Sequence, residues 1–324
     1  MSISMNSQSA LHEVESRCTQ ERPPRCQSLC PLGLDARAFL GHAAEGRWSD
    51  ARKQLERYLP LPGLLARICD HPCEQGCLRG DLGGAVNLHG LEIFCTEHLG
   101  VQTRSLPMPR KQKRIAVIGA GLAGLVCAWD LAGKGYPVTV FHEGEPQAQL
   151  LSCWPVLAGA GAAALDAEWE ALGRRGVRFE QARTDAACLQ QAAGEYDGVL
   201  LDAGALPELA PAESGMDAQI LHWRDNICCA GWASVTPTGH RFASASRQAG
   251  QGRSAARTLE RLVAGVSLTA ARDTDERSLF TELDGIAPVE RVLPVAETYS
   301  EAEARQEAGR CLQCQCLVCV KACV

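Results

Sequence analysis

The sequence has no uninterrupted apolar run of the length, about 20 residues, that a membrane-spanning helix requires. Its opening, MSISMNSQSALHEVES, also lacks the apolar core of a secretory leader. Both absences predict a cytoplasmic chain in which thiols stay reduced. There is no basic excess. The net charge of -6 argues against a general nucleic-acid binder. No Ser–His–Asp pattern and no paired-carboxylate pattern stands out, so the sequence names no catalytic residue.

Cysteine, by contrast, is abundant: there are 17 among 324 residues. In a reduced chain of this size that number points to metal or clusters before disulfides. Seven fall between Cys18 and Cys95, and five between Cys311 and Cys323. Cys127, Cys153, Cys188, Cys228 and Cys229 stand in apolar surroundings and read as core thiols. His142, His222 and His240 are lone histidines at no ligand spacing.

The first cysteines form Cys18-x7-Cys26-x3-Cys30-Pro31. Asp35 then suits the cap of a helix over 36–44, which Gly46 ends, and Ser49 suits the cap of a second. Pro60, Pro62 and Gly63 stop that helix, and Cys69-x3-Cys73-x3-Cys77 follows. A third helix over 86–99 has Leu88, Glu92, Cys95 and Leu99 on one stripe, and a carboxylate on an apolar face needs a partner. Two cysteine triplets beside prolines suit iron–sulfur clusters, whose irons are held by thiolates. The rivals are zinc and buried structural thiols, and the absence of C-x2-C knuckles here weighs against zinc.

After a basic, proline-containing linker over 101–112, the central stretch runs from Lys113 to Glu143. Arg114–Ile118 is a short β-branched run, read as a buried parallel strand. It meets Gly119-Ala120-Gly121-Leu122-Ala123-Gly124, then a helical pattern to Gly133 and a second strand over Val138–Phe141. Strand, G-x-G-x-x-G turn, helix and strand together form a dinucleotide-binding fingerprint. Gly119, Ala120, Gly121 and Gly124 would cradle a pyrophosphate at the helix start, where free N–H groups and the helix dipole favour an anion. A ribose-binding acid is expected at His142, so Glu143 stands one place late. A second small-residue run, Gly159–Ala164, reads as a helix start, because Pro155 suits a buried strand poorly.

At the C-terminus a charged helix over Glu301–Arg310 delivers Cys311, Cys314, Cys316, Cys319 and Cys323. Cys316-x2-Cys319-x3-Cys323 matches the last three ligands of a bacterial ferredoxin run. A further cluster is expected there, completed by Cys311 or Cys314 or by a partner chain. Zinc and an intersubunit site are the alternatives.

The segments RCTQERPPRCQSLCPLGLDARAFL, GRWSDARKQLERYLPLPGLLARICDHPCEQGC and VNLHGLEIF resemble the N-terminal iron–sulfur domain of the glutamate synthase small subunit and of dihydropyrimidine dehydrogenase. In both a flavin domain follows. The resemblance implies a multidomain α plus α/β chain. An α-helical ferredoxin-like domain would span 1–105 and a Rossmann-like FAD-binding domain with a parallel sheet 106–298, with a short Cys-rich tail over 299–324. It implies interleaved [4Fe–4S] clusters. One would use Cys18, Cys26 and Cys77, with Glu21 standing where the family has its second cysteine. The other would use Cys30, Cys69, Cys73 and Glu92.

The same resemblance makes YDGVLLDAGA the strand before the family's ATG-like turn, and DNICCAGWAS with SRQAGQGRSAARTLERLVAG the last strand and helix of the flavin domain. Gly231 would then be a cofactor contact. Three flavin contacts are altered. His142 replaces the ribose acid, GEPQAQLL replaces a glycine pair, and Trp232 replaces an Asp. The family's inserted NADPH domain is absent. The function implied is an oxidoreductase subunit relaying electrons between [4Fe–4S] clusters and FAD, to or from another redox subunit or carrier protein. The alternative is a non-catalytic relay or adaptor that has lost flavin.

Overall fold

The computed structural model describes residues 8–99, 108–160, 162–213, 216–217, 219–235, 241–272 and 278–318. Cys319, Cys323, His240 and most of the linker therefore lie outside the described residues. In chain order the helices are α1 (Gln8–Ser16), α2 (Arg25–Leu29), α3 (Ala36–Ala44), α4 (Trp48–Tyr58), α5 (Pro62–Ile68), α6 (Pro72–Gln75), α7 (Leu88–Leu99), α8 (Leu122–Gly133), α9 (Pro146–Cys153), α10 (Ala162–Arg174), α11 (Ala186–Glu195), α12 (Ala245–Ala264) and α13 (Glu301–Ala308). The strands are β1 (Ile115–Ile118), β2 (Val138–His142), β3 (Val177–Gln181), β4 (Gly198–Asp202), β5 (His222–Arg224), β6 (Ile227–Ala230), β7 (Ser234–Val235) and β8 (Arg241–Phe242). None of the described helices is long and apolar enough to cross a membrane.

The chain divides into two compact units: 1–55 with 71–95 and 274–324, and 56–70 with 96–273. The first is helical, around Phe39, Leu40, Leu55, Leu88 and Leu91. Asp35 caps α3 as expected, its carboxylate accepting from Ala38 N at 3.1 Å. Ser49 is not a cap, because α4 starts one residue earlier at Trp48. The Trp48 ring packs edge-on against Phe94 at 4.8 Å, and its Nε1 donates to Glu301 Oε1 at 3.1 Å. Burying the indole draws Trp48 into the first turn and leaves Ser49 inside the helix.

The last stretch of this unit is held by a buried ion pair. Ser300 and Glu303 form a reciprocal capping box at the start of α13. Glu307 is fully buried and accepts from Asn87 N at 2.8 Å, Val292 N at 2.7 Å and Arg310 Nη1 at 2.7 Å. Arg310 in turn donates to Gly83 O, Gly84 O and Val289 O. A buried charge must be paired and hydrogen-bonded to be tolerated, and here both charges are. The residue after Arg310 is Cys311.

In the second unit the six-stranded sheet has the order β3-β2-β1-β4-β6-β5, parallel except for β5 at the edge. The expected strand, glycine turn, helix and strand are all present, with Ile115 opposite Val138 in one neighbour and Gly198 in the other. β1 is buried at every residue, as a strand covered on both faces should be. The order reverses between β1 and β4, so the crevice beyond their C-terminal ends is where doubly wound sheets bind nucleotides. α8 is buried on nearly every side and packs against α12. The helices approach closely at Gly252, where a Cβ would fall 2.4 Å from Ala123 O. Pro62 stands at the first position of α5, where a missing N–H costs nothing, so it starts this helix; α4 has already ended at Tyr58.

The stretch before Gly159–Ala164 is α9 followed by a 3₁₀ turn over Pro155–Ala160, with no strand. The run therefore lacks the strand a second nucleotide turn requires. Cys127, Cys228 and Cys229 are core thiols as expected, but Cys153 is exposed at the end of α9 and Cys188 is half-buried on α11. Their helices turn these positions outward, which apolar neighbours in sequence do not reveal.

Candidate functional site

Gly119 follows β1 with φ +98, a conformation that glycine adopts without strain, and Gly121 is the N-cap of α8. The carboxylate of Asp202, at the C-terminal end of β4, lies beneath this turn. Its Oδ2 accepts from Gly124 N at 2.6 Å, and its Oδ1 accepts from Gly204 N at 2.9 Å and Ala205 N at 3.2 Å. A Cβ would fall 2.6 Å from Asp202 Oδ2 at Gly121, 2.9 Å from it at Gly124, and 2.5 Å from Asp202 Oδ1 at Gly231. These glycines are thus needed by a carboxylate of the chain itself, quite apart from any cofactor. Burial pushes the Asp202 carboxyl up to about 6, against the three N–H bonds that pull it down. A negative group already faces the helix start that a diphosphate would occupy.

The other residues that the sequence reading places at a nucleotide lie at the ends of β2 and β6. His142 is the last residue of β2, with Nδ1 3.0 Å from Gly144 O, and Glu143 follows it, exposed. Gly231 follows β6 with φ +98 and donates its N–H to Gln251 Oε1 at 2.8 Å. Trp232 is buried, and its Nε1 donates to Pro211 O at 3.3 Å. The glycine turn at the head of α8 suits a diphosphate, and Asp202 is the carboxylate that such a group would meet there. Sequence reasoning missed Asp202. The available signal was an acid closing the apolar strand GVLLD just before a glycine.

The described cysteines are all free thiols. In the helical unit a small cavity is lined by Cys26, Cys77, Cys311 and Cys314, together with apolar side chains such as Leu40 and Leu88. Burial pushes the Cys26 thiol up to about 12, with Cys311, Cys77 and Cys314 adding to the effect through the repulsion their charged forms would exert. Burial likewise raises Cys311 to about 11, with Cys314 and Cys77 contributing. Thiolate is the form that binds metal, and a cation among these four sulfurs would favour it. That donor set suits an iron–sulfur group. No three His, Cys, Asp or Glu side chains among the described residues are grouped as a single ion would need.

Cys18 is exposed and lies beside Cys316, which it reaches by a side-chain hydrogen bond. Glu21 is exposed. Cys73 is buried on α6, Cys30 is half-buried close to Glu92, and Cys69 closes α5 in the sheet-bearing unit. The partner that Glu92 requires is His71, with Nε2 3.2 Å from Glu92 Oε2. His71 stacks on His89 at 4.6 Å, and His89 N donates to Glu74 Oε1 at 2.8 Å.

Residues 1–103 match the family model described as dihydropyrimidine dehydrogenase domain II, 4Fe-4S cluster, and residues 114–193 match that of glucose inhibited division protein A. Among curated proteins the chain is 34% identical over 120 residues to the beta subunit of NADPH-Fe(3+) oxidoreductase of Geobacter sulfurreducens, covering 36% of this chain and 18% of that protein. It is 32% identical over 142 residues to the beta subunit of NADP(+)-dependent formate dehydrogenase of Moorella thermoacetica, covering 36% and 20%. It is 30% identical over 137 residues to the small chain of NADPH glutamate synthase of Mycobacterium tuberculosis, covering 41% and 28%. The chain thus spans less than a third of the length of these relatives. By these matches residues 1–103 are similar to a 4Fe-4S domain and residues 114–193 to part of glucose inhibited division protein A, and the chain is similar over about 36–41% of its length to subunits of NADPH- and NADP(+)-linked oxidoreductases.

Proposed function

We propose that this chain is an electron-transfer subunit that relays electrons between iron–sulfur clusters and FAD. The observation that carries the reading is the order of the two matched regions, a 4Fe-4S domain and then a nucleotide fold with its glycine turn intact. Bound clusters pass electrons singly and a bound flavin holds two, so together they join one-electron to two-electron chemistry. The residues proposed for the nucleotide are Gly119, Ala120, Gly121 and Gly124 at the diphosphate, Glu143 at the ribose and Gly231 at the far side. Cys26, Cys30, Cys69, Cys73 and Cys77 are proposed as iron ligands and Glu92 as an oxygen ligand, oriented through its contact with His71. By analogy with the beta and small subunits named above, the partner is another redox subunit or an electron-carrier protein.

One observation favours a second reading, a relay subunit without flavin. Asp202 already supplies a carboxylate to the helix start where the diphosphate would sit. Anaerobic purification followed by iron, sulfide and flavin determination separates the two. Iron with FAD supports the relay to flavin, iron without FAD after reconstitution supports the second reading, and stoichiometric zinc without iron refutes both.

A further inference from the structure

The family pattern leaves the first cluster one cysteine short, because Glu21 stands at the second position and is exposed. The structure offers two other thiols. The cavity that holds Cys26 and Cys77 is lined on its remaining side by Cys311 and Cys314. Among the described residues these four are the cavity's only cysteines, and neither Cys18 nor Glu21 lines it.

The C-terminal segment is fastened where it delivers these thiols. Arg37 Nη1 donates to Cys314 O at 2.7 Å, and Gln313 Nε2 donates back to Arg37 O at 3.1 Å. Gln313 has φ +48, a turn that places Cys311 and Cys314 on either side of it. Upstream, the buried Glu307–Arg310 pair fixes the chain immediately before Cys311. Beyond the pair of ligands, Cys316 N donates to Gln20 Oε1 at 3.1 Å, bringing the segment back to the N-terminal loop.

We propose that Cys311 and Cys314 are ligands of the first N-terminal cluster, which is therefore held by Cys26, Cys77, Cys311 and Cys314 rather than by Cys18 and the Glu21 position. This rests on the reading of the helical unit as a cluster domain and reassigns its ligands. The tail then gives Cys311 and Cys314 to this cluster and not to a separate C-terminal one. It closes a site whose other half lies near the N-terminus, so the cluster ties together two segments more than 230 residues apart in sequence. Cys18 and Cys316 are left as a neighbouring pair outside the set.

The test is iron and sulfide content with low-temperature EPR of the dithionite-reduced full-length chain, purified anaerobically, for Cys26→Ser, Cys314→Ser, Cys18→Ser and the double variant Cys26→Ser/Cys314→Ser. Far-UV circular dichroism confirms that each variant is folded. The expected result is that Cys26→Ser and Cys314→Ser each lose the same EPR signal and ~4 iron atoms. The double variant should lose no more than either single variant, and Cys18→Ser should keep the wild-type iron. Additive loss in the double variant would mean two separate clusters and overturn the assignment. So would a Cys314→Ser variant with unchanged iron, or a Cys18→Ser variant that loses the signal. If instead the wild-type chain holds no iron, it is the cluster-domain reading that fails.

Discussion

Asp202 makes flavin affinity depend on pH in a defined direction. Its folded carboxyl is raised from 3.8 to about 6, chiefly by burial. The stability contributed by the bound proton is therefore complete below 3.8 and lost as pH rises through about 6. The shift of about two units corresponds to about 3 kcal/mol at 1.36 kcal/mol per unit. Above pH 6 the carboxylate is charged and holds the N–H of Gly124 at the start of α8. A diphosphate arriving there meets a like charge, which is relieved if Asp202 takes up one proton. Each pH unit above 6 then weakens FAD binding by about tenfold, or about 100-fold at pH 8, which is about 2.7 kcal/mol.

Asp202→Asn is neutral throughout. It should lose this slope and bind FAD more tightly at pH 8, by up to about 100-fold. It also keeps Oδ1 as acceptor for two of the three N–H donors, Gly204 and Ala205, so the local fold loses about 1–3 kcal/mol for the bond to Gly124 N. The assay is equilibrium titration of FAD fluorescence between pH 5.5 and 8.5, with both proteins in the same buffer. A wild-type affinity that is flat across this range, or an Asp202→Asn variant no tighter at pH 8, would refute the reasoning.

Other outcomes follow from the same contacts. Glu92→Ala should remove or alter one cluster while the circular dichroism spectrum survives; unchanged iron and EPR would count against Glu92 as a ligand. Glu307→Ala leaves the Arg310 charge buried and unpaired, and should cost about 3–5 kcal/mol of stability in denaturant unfolding. It should also lower iron retention, since Arg310 directly precedes Cys311. Gly252→Val forces a side chain against Ala123 O, and should lower the melting temperature of the sheet-bearing unit by an amount equivalent to at least about 1–3 kcal/mol. The chain as purified should not oxidise NADPH with an artificial dye, because Gly159–Ala164 has no strand before it; saturable activity would contradict that.

The sheet-bearing unit was largely legible in the sequence because its signals are local. A β-branched run, a glycine turn, a helix and a second strand lie within about 30 residues, and each has its own periodicity. The Asp35 cap was legible for the same reason. What escaped depends on partners distant in the chain. Asp202 is 78 residues from the Gly124 N–H it accepts, so nothing next to it in sequence marks it as an internal anion. His71 is 21 residues from the Glu92 it meets, with α6 and a 3₁₀ helix between them. The Cys26 and Cys311 neighbourhood depends on α13 packing and the Glu307–Arg310 pair, neither of which has a sequence period. Ser49 misled because the burial of Trp48 outweighed a cap worth about 1 kcal/mol.

The central claim is that one chain carries both iron–sulfur clusters and a flavin and moves electrons between them. The direct measurement is a stepwise anaerobic reduction of the reconstituted full-length protein, with iron and FAD determined on the same sample and the EPR and visible spectra followed together. The account predicts ~4 to 8 iron atoms per chain, bound FAD that survives desalting below pH 6.5, and bleaching of both chromophores by the same reductant. A protein with zinc in place of iron, or with a flavin that bleaches while the cluster EPR signal never develops, would contradict it.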